Sequence, residues 1–248
     1  MEPAPSRRGT GAYQSHGTLA YRCIQGLHWD GGYTVTTVTT ARLQRLAERA
    51  ASVSDDGGPF CRRLLDGLAE SIAEVGYRNT TVADIVRRAR TSRRTFYEHF
   101  SDKEACFVAL LTGANTEMIR QISAAVDPSV PWASQVRQAI EAWIASAESA
   151  PAITLSWIRD VPALGAGARR LQRDTMEDFI VMIETLCDTD EWRSAGAGPV
   201  SRQLTIMLLG GLRELIAATV EDGGRIGDVT EVAVQASMAL LGPRSQGG

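Results

Sequence analysis

Lysine is all but missing from this chain: Lys103 is the only one among 26 basic residues, a bias toward arginine that points to a GC-rich coding sequence rather than to a mechanism. Histidine is scarce too, and His16, His28 and His99 stand beside no Cys or carboxylate at ligand spacing, so no metal site is expected. The four cysteines, Cys23, Cys61, Cys106 and Cys187, are widely separated and form no CxxC pair, which removes disulfide frameworks and zinc ribbons. Cys61 and Cys106 fall within apolar helical patterns and read as reduced core residues, with a redox-sensing thiol pair as the alternative. No unbroken apolar run reaches the roughly 20 residues that span a bilayer, and the N-terminus lacks the charged-then-apolar order of a signal peptide. A soluble cytoplasmic protein without a membrane partner is the expectation. Nucleophile elbow, P-loop and dinucleotide glycine fingerprint are all absent. Asp188-Thr189-Asp190-Glu191 lacks the calcium-loop pattern, and Asp174, Glu177 and Asp178 read as a solvated helix face. The expectation is therefore no enzyme, no catalytic residue and no cofactor.

What the chain has instead is a densely marked stretch at 80–100. Thr81 reads as an N-cap, and Asp84 three residues on completes a variant capping box. Val82, Ile85, Val86 and Ala89 recur at helical spacing and make one apolar face. Arg90-Thr91 is the turn. Ser92 then caps a second helix on which Phe96 and Phe100, four apart, lie on one side. Ile85, Val86, Phe96 and Phe100 are the expected core of this unit. The first turn of the second helix carries Arg93, Arg94 and Thr95, with Tyr97 close behind. Such cationic and hydroxylic groups suit phosphates and base edges in a major groove. A short second helix presenting its N-terminal residues is the docking arrangement of a helix-turn-helix. Charge agrees: residues 60–120 hold 10 Arg and Lys against 8 Asp and Glu, a balance of +2, whereas residues 121–248 hold 10 against 16, a balance of -6. Five arginines fall between Arg87 and Arg94, a local basic footprint on an acidic chain.

Gly76-Tyr77, Thr80-Thr81-Val82, Ile85, Thr95-Phe96-Tyr97-Glu98-His99-Phe100 and Lys103-Glu104, in this order and spacing, resemble the TetR family of transcriptional regulators over roughly residues 62–111. One departure stands out. The family usually has a Gly-Val pair in the turn, where this chain has Arg90-Thr91. A non-Gly residue in a left-handed turn costs about 1 kcal/mol, and an Arg90 in that turn is itself a candidate to face DNA. The resemblance implies an N-terminal three-helix helix-turn-helix domain followed by a helical bundle for ligand binding and dimerisation. It implies a double-stranded operator, a homodimer through the last two helices, and a small-molecule effector of unknown identity that shifts the two reading heads out of register. On this reading Arg93, Arg94 and Thr95 reach base edges or adjacent phosphates, with Ser92 at the helix start. Tyr97 and His99 position the helix on the DNA backbone, the alternatives being a half-buried aromatic for Tyr97 and a helix C-cap for His99. Thr81 and Lys103 contact phosphates.

Residues 1–58 read as a leader outside the core. Its first part is rich in Gly, Ser, Pro and Arg, residues 33–40 alternate Thr and Val, and residues 41–53 carry a helical apolar face. A floppy extension, residues upstream of the true start codon (Val35 and Val38 are candidate starts) and a basic arm that tracks DNA are the three readings. Residues 59–112 are the expected reading domain. Its first helix is striped by Leu64, Leu65, Leu68, Ile72 and Val75 and stopped at Gly76. Ser101 or Asp102 caps a fourth helix, which runs on through Phe107 and Leu110 to Met118, Ile119 and Ile122 and is shared with the second domain at 113–242.

In that second domain, helices are expected from Pro131-Trp132, from Pro151, over 168–186, over 200–221 and over 228–241, with a loop at 188–198 and a tail at 243–248. The class is all-α, because strand patterning is confined to the short leader segment. Leu204, Met207, Leu208, Gly211, Leu212, Leu215 and Ile216 stripe the penultimate helix, and Gly210-Gly211 permits close approach of another helix. Intramolecular core and a two-fold subunit interface both account for this stripe. Met118, Trp132, Trp143, Trp157, Phe179 and Met182 populate the middle helices, as plain core or as the wall of an apolar effector pocket. Two classes compete with the DNA-binding regulator: a helical interaction protein with weakened DNA binding, and a thiol-based redox sensor.

Overall fold

A computed structural model describes residues 58–243. Residues 1–57, on which the three readings of the leader fall, and residues 244–248 of the tail lie outside the described residues. Within them the chain forms ten α-helices and two short 3-10 turns, with no strand.

The first four helices make the unit that the motif stretch promised. Helix α1 (Gly58–Asn79) buries Leu64, Leu68 and Ile72, spaced four apart, to 1% exposure or less. It breaks at Gly76, whose φ of 77° a residue with a Cβ adopts only at a cost, and resumes for one turn through Tyr77. Helix α2 (Val82–Arg88) begins on the expected box. The Thr81 hydroxyl accepts from the Asp84 N–H at 3.2 Å, and the Asp84 carboxylate accepts from the Thr81 N–H at 3.1 Å. The two helices touch backbone to backbone at Gly67, where a Cβ would stand 2.7 Å from the Ile85 carbonyl oxygen. Helix α3 (Arg93–His99) is capped by Ser92, which accepts from the Thr95 N–H at 3.1 Å. Asp102 caps α4 (Lys103–Ala125) by accepting from the Ala105 N–H at 2.8 Å.

Helices α5 (Trp132–Ser149), α6 (Pro151–Arg159), α7 (Ala166–Cys187), α9 (Arg202–Glu221) and α10 (Thr230–Leu241) build a second core around Ile140, Ile144, Phe179, Met182, Leu208, Leu212 and Val234. The expected loop at 188–198 contains a further helix, α8 (Asp190–Ser194). Thr189 caps it, and Trp192 drives into the second core at 2% exposure, its indole N–H donating to the Gln135 side-chain oxygen at 3.2 Å. One buried indole anchors five residues that have no period of their own.

The two cores meet along an apolar seam. Val161 and Ala168 are fully buried, and with Leu171 they belong to the same cluster as Leu68, Phe96 and Phe107, while Trp157 packs against both cores. Arg78 on α1 and Asp160 after α6 add an ion pair at 2.8 Å across the seam. With Arg78 largely exposed, such a pair stabilises by about 0–1 kcal/mol, whereas burying one valine is worth about 1.5–3 kcal/mol. The seam is held by packing.

Helix α9 is long and apolar enough to cross a bilayer by length and composition, although no unbroken apolar run reaches that length. Arg213 and Glu214 interrupt it, and Glu214 is bound by Arg159 in the bundle. Its inner side buries Thr205, Leu208, Leu209, Leu212, Ile216 and Ala217.

Candidate functional site

Helix α3 lies over the first core with Phe96 fully buried and Phe100 at 9% exposure, their rings 5.8 Å apart. Ile85 and Val86 on α2 are buried beside them. With those four side chains inward, Ser92, Arg93, Arg94, Tyr97 and His99 are necessarily outward and exposed, and Thr95 is half-buried. Tyr97 stands 58% exposed with its ring edge-on to Phe96 at 5.3 Å. His99 is the last helical residue of α3, and Phe100 occupies the C-cap.

The arginine run is not one uniform patch. Arg88 turns inward to Glu74 of α1. Arg87 pairs with Asp84 at 2.9 Å and Arg94 with Glu98 at 3.0 Å, both exposed pairs within one turn. Arg90 and Arg93 have no carboxylate partner among the described residues. They are the two unneutralised charges of this face. Arg90 sits in the turn with φ 50°, the only non-Gly residue with positive φ among those described. The left-handed turn expected of the motif is present, occupied by arginine.

The remaining two expected contacts are more tightly employed. The Thr81 hydroxyl donates to Asp84 at 2.6 Å while accepting from its N–H. The Asp84 carboxyl is held below its ordinary range by the Thr81 hydroxyl first and the Arg87 guanidinium second. Lys103 is turned toward the chain: its ammonium donates to the carbonyls of Tyr77 at 2.9 Å and Thr80 at 2.8 Å, and lies 4.3 Å from the centre of the Tyr77 ring. Burial pulls its pKa down. It pins the start of α4 to the α1–α2 connection, and an ammonium has a third proton that these two carbonyls leave over.

A second feature adjoins this unit. A cavity of about 1190 Å³, counted with its open mouth, is walled by Ala69 of α1 and Leu110 and Leu111 of α4 on one side, and by Trp143, Phe179 and Leu209 on the other. The first three side chains also belong to the core that carries α3. Met118, Trp143, Trp157 and Phe179 line the cavity, as the sequence reading allowed, whereas Trp132 packs against Trp192. Arg213 also lines it, and went unnoticed in the sequence. The detectable signal was its phase, since Leu209, Arg213 and Ile216 share one face of α9. The described cysteines, Cys61, Cys106 and Cys187, are free thiols. Burial pushes the Cys106 thiol far up, with Cys61 contributing, and raises Cys61 and Cys187, the last to about 12.

An all-helical chain with a capped helix-turn-helix, an exposed cationic second helix and a bundle behind it defines a DNA-binding transcriptional regulator. Residues 64–110, the helices that carry this unit, match the family described as "Bacterial regulatory proteins, tetR family". A relative, the uncharacterized HTH-type transcriptional regulator YhgD of Bacillus subtilis (strain 168), is 24% identical over 146 residues, 59% of this chain and 76% of that one. The fatty acid degradation regulator FadR of Bacillus halodurans superimposes with a TM-score of 0.65 at 15% identity, covering 76% of this chain and 98% of that one. FadR of Bacillus subtilis, solved in complex with stearoyl-CoA, gives 0.63 at 13% identity over 74% and 99%. At such identities the structural likeness establishes the fold.

Proposed function

We propose that the protein is a ligand-responsive repressor that binds a palindromic operator as a homodimer in the bacterial cytoplasm, with no catalytic activity of its own. Residues 59–112 form its reading head and residues 113–242 its effector-binding and dimerisation domain. Arg93, Arg94 and Thr95 reach base edges or the flanking phosphates. Ser92, Tyr97 and His99 fix the helix against the backbone, and Thr81 and the spare proton of Lys103 meet phosphates. Arg90 joins them from the turn.

The observation that carries the ligand-responsive reading is the shared wall between the cavity and the reading head. A molecule that fills the cavity presses on Ala69, Leu110 and Leu111, and through them on the core under α3. Closely packed interiors pass such a push on instead of absorbing it. The apolar lining suits an apolar effector, and the FadR neighbour of Bacillus subtilis, solved in complex with stearoyl-CoA, supports that reading.

The dimer reading is supported by the outer side of α9 and α10. Ile206, Met207 and Val232 stand 42%, 63% and 55% exposed, and the space around Gly210 and Gly211 is open to 4 Å. Nothing among the described residues uses the close approach those glycines permit. A two-fold pairing of this face sets two α3 helices on successive half-sites. The experiment is a titration of labelled operator, found by selection from random DNA, with and without a bound ligand. The proposal requires palindromic sites and release on ligand binding. Operator affinity unchanged by any ligand shown to occupy the cavity would reject the ligand-responsive part.

A further inference from the structure

The cavity beside the reading head has a neighbour. A second chamber of about 600 Å³, counted with its mouth, lies farther from the reading head between α5, α7, α9 and α10, and Trp143, Phe179 and Leu209 line both. The chambers differ in what they ask of a ligand. In the second one the polar groups are already engaged: Gln135 donates to the Val130 carbonyl and accepts from Trp192, and Ser237 donates to the Ala233 carbonyl. The rest of its wall is hydrocarbon, ring or sulfur.

The chamber beside the reading head holds two charged side chains. Glu117 is satisfied by Arg120 at 2.7 and 2.8 Å and by Gln121 at 2.9 Å. The Arg213 Nε is buried without an acceptor, and the Trp157 ring stands 5.9 Å from the guanidinium carbon. The adjacent Glu214 supports the charge through space, but its carboxylate is hydrogen-bonded to Arg159 at 2.9 Å. A guanidinium stays charged in a protein, and a buried guanidinium N–H without an acceptor is costly. An anion at this place would remove that cost, and the guanidinium fork matches carboxylate and phosphate oxygens.

We infer that the two chambers form one site for an alkyl chain ending in an anion, with the carboxylate or phosphate on Arg213 and the tail passing Trp143, Phe179 and Leu209 into the second chamber. The inference rests on the effector reading and deepens it by naming the ligand class and its anchor.

The test uses the full-length protein, without DNA, titrated with dodecanoate, dodecyl phosphate and dodecanol below their micelle concentrations, read by the fluorescence of Trp143 and Trp157. Dodecanoate or dodecyl phosphate is expected to bind about tenfold or more tighter than dodecanol, as one charge-assisted pair allows. The stronger of the two identifies the head group. Arg213→Met is expected to abolish that preference while keeping dodecanol affinity, which also reports that the variant is folded. Arg213→Lys is expected to restore part of it. Ala139→Phe, which fills the second chamber, is expected to weaken dodecanoate more than octanoate. Equal affinity for the acid and the alcohol, or an Arg213→Met variant that still prefers the anion, would overturn the anchor. An Ala139→Phe variant indifferent to chain length would overturn the two-chamber path. Binding through Arg213 that leaves operator affinity untouched sustains this inference and defeats the effector reading instead.

Discussion

Arg90 holds a backbone conformation that glycine adopts freely, and its side chain lies exposed with no carboxylate partner among the described residues. Arg90→Gly is expected to stabilise the fold by about 1 kcal/mol, seen as a higher denaturant midpoint at unchanged slope. The same change should weaken operator binding if the guanidinium meets DNA. Arg94→Ala is expected to weaken operator binding by about 1–3 kcal/mol in an anisotropy titration at fixed salt, with the fold intact; unchanged affinity would remove Arg94 from the reading face. Asp66 supplies a pH dependence. Burial first and Glu70 second raise its pKa from 3.8 to about 6, against the pull of Arg62. A carboxyl whose folded pKa is raised adds stability below its unfolded pKa and loses it as pH climbs from about 4 to 6. Asp66→Asn should therefore raise Tm at pH 7.5 and leave it unchanged near pH 3.5, and an equal gain at both would contradict this.

At the scale of elements, the helices that could be read in the sequence are those with an apolar period, with or without a side-chain cap, and a cap marked where some of them start. Thr81, Ser92 and Asp102 each stand at the start of a helix, and the 3–4 spacing of Leu64, Leu68 and Ile72 names the buried side of α1. Helix α8 was illegible because five residues give no period and its anchor, Trp192, acts through Gln135, 57 residues away. The pairings of the arginines were half legible. Arg87 and Arg94 find partners within one turn, but Arg88 reaches Glu74 on another helix, a contact fixed by the crossing at Gly67 and not by spacing. Arg213 was hidden because one arginine in an apolar stripe reads as the stripe's solvated edge. For α9 the bare face makes a prediction: the unaltered protein is expected to be a dimer by light scattering at micromolar concentration, and Met207→Glu to be a monomer. A monomeric unaltered protein would reject the α9–α10 interface.

Taken whole, the molecule is two cores that share Trp157, joined by the seam at Val161, Ala168 and Leu171. The acidic second half and the partly neutralised arginines leave little general attraction for polyanions, so on the proposed function specificity is expected to rest on α3 and on the pairing of two copies. Across the seam the Arg78–Asp160 pair is exposed on the Arg78 side, and its loss alone should change stability by no more than about 1 kcal/mol. The account turns on α3 entering a major groove. Its most direct measurement is selection of bound sequences from a random duplex pool by the folded protein, with Arg94→Ala run in parallel. The account predicts an enriched palindrome with half-sites about one helical turn apart, and enrichment that fades at the positions Arg94 reads in the variant. A folded protein that enriches no sequence over random competitor would contradict it.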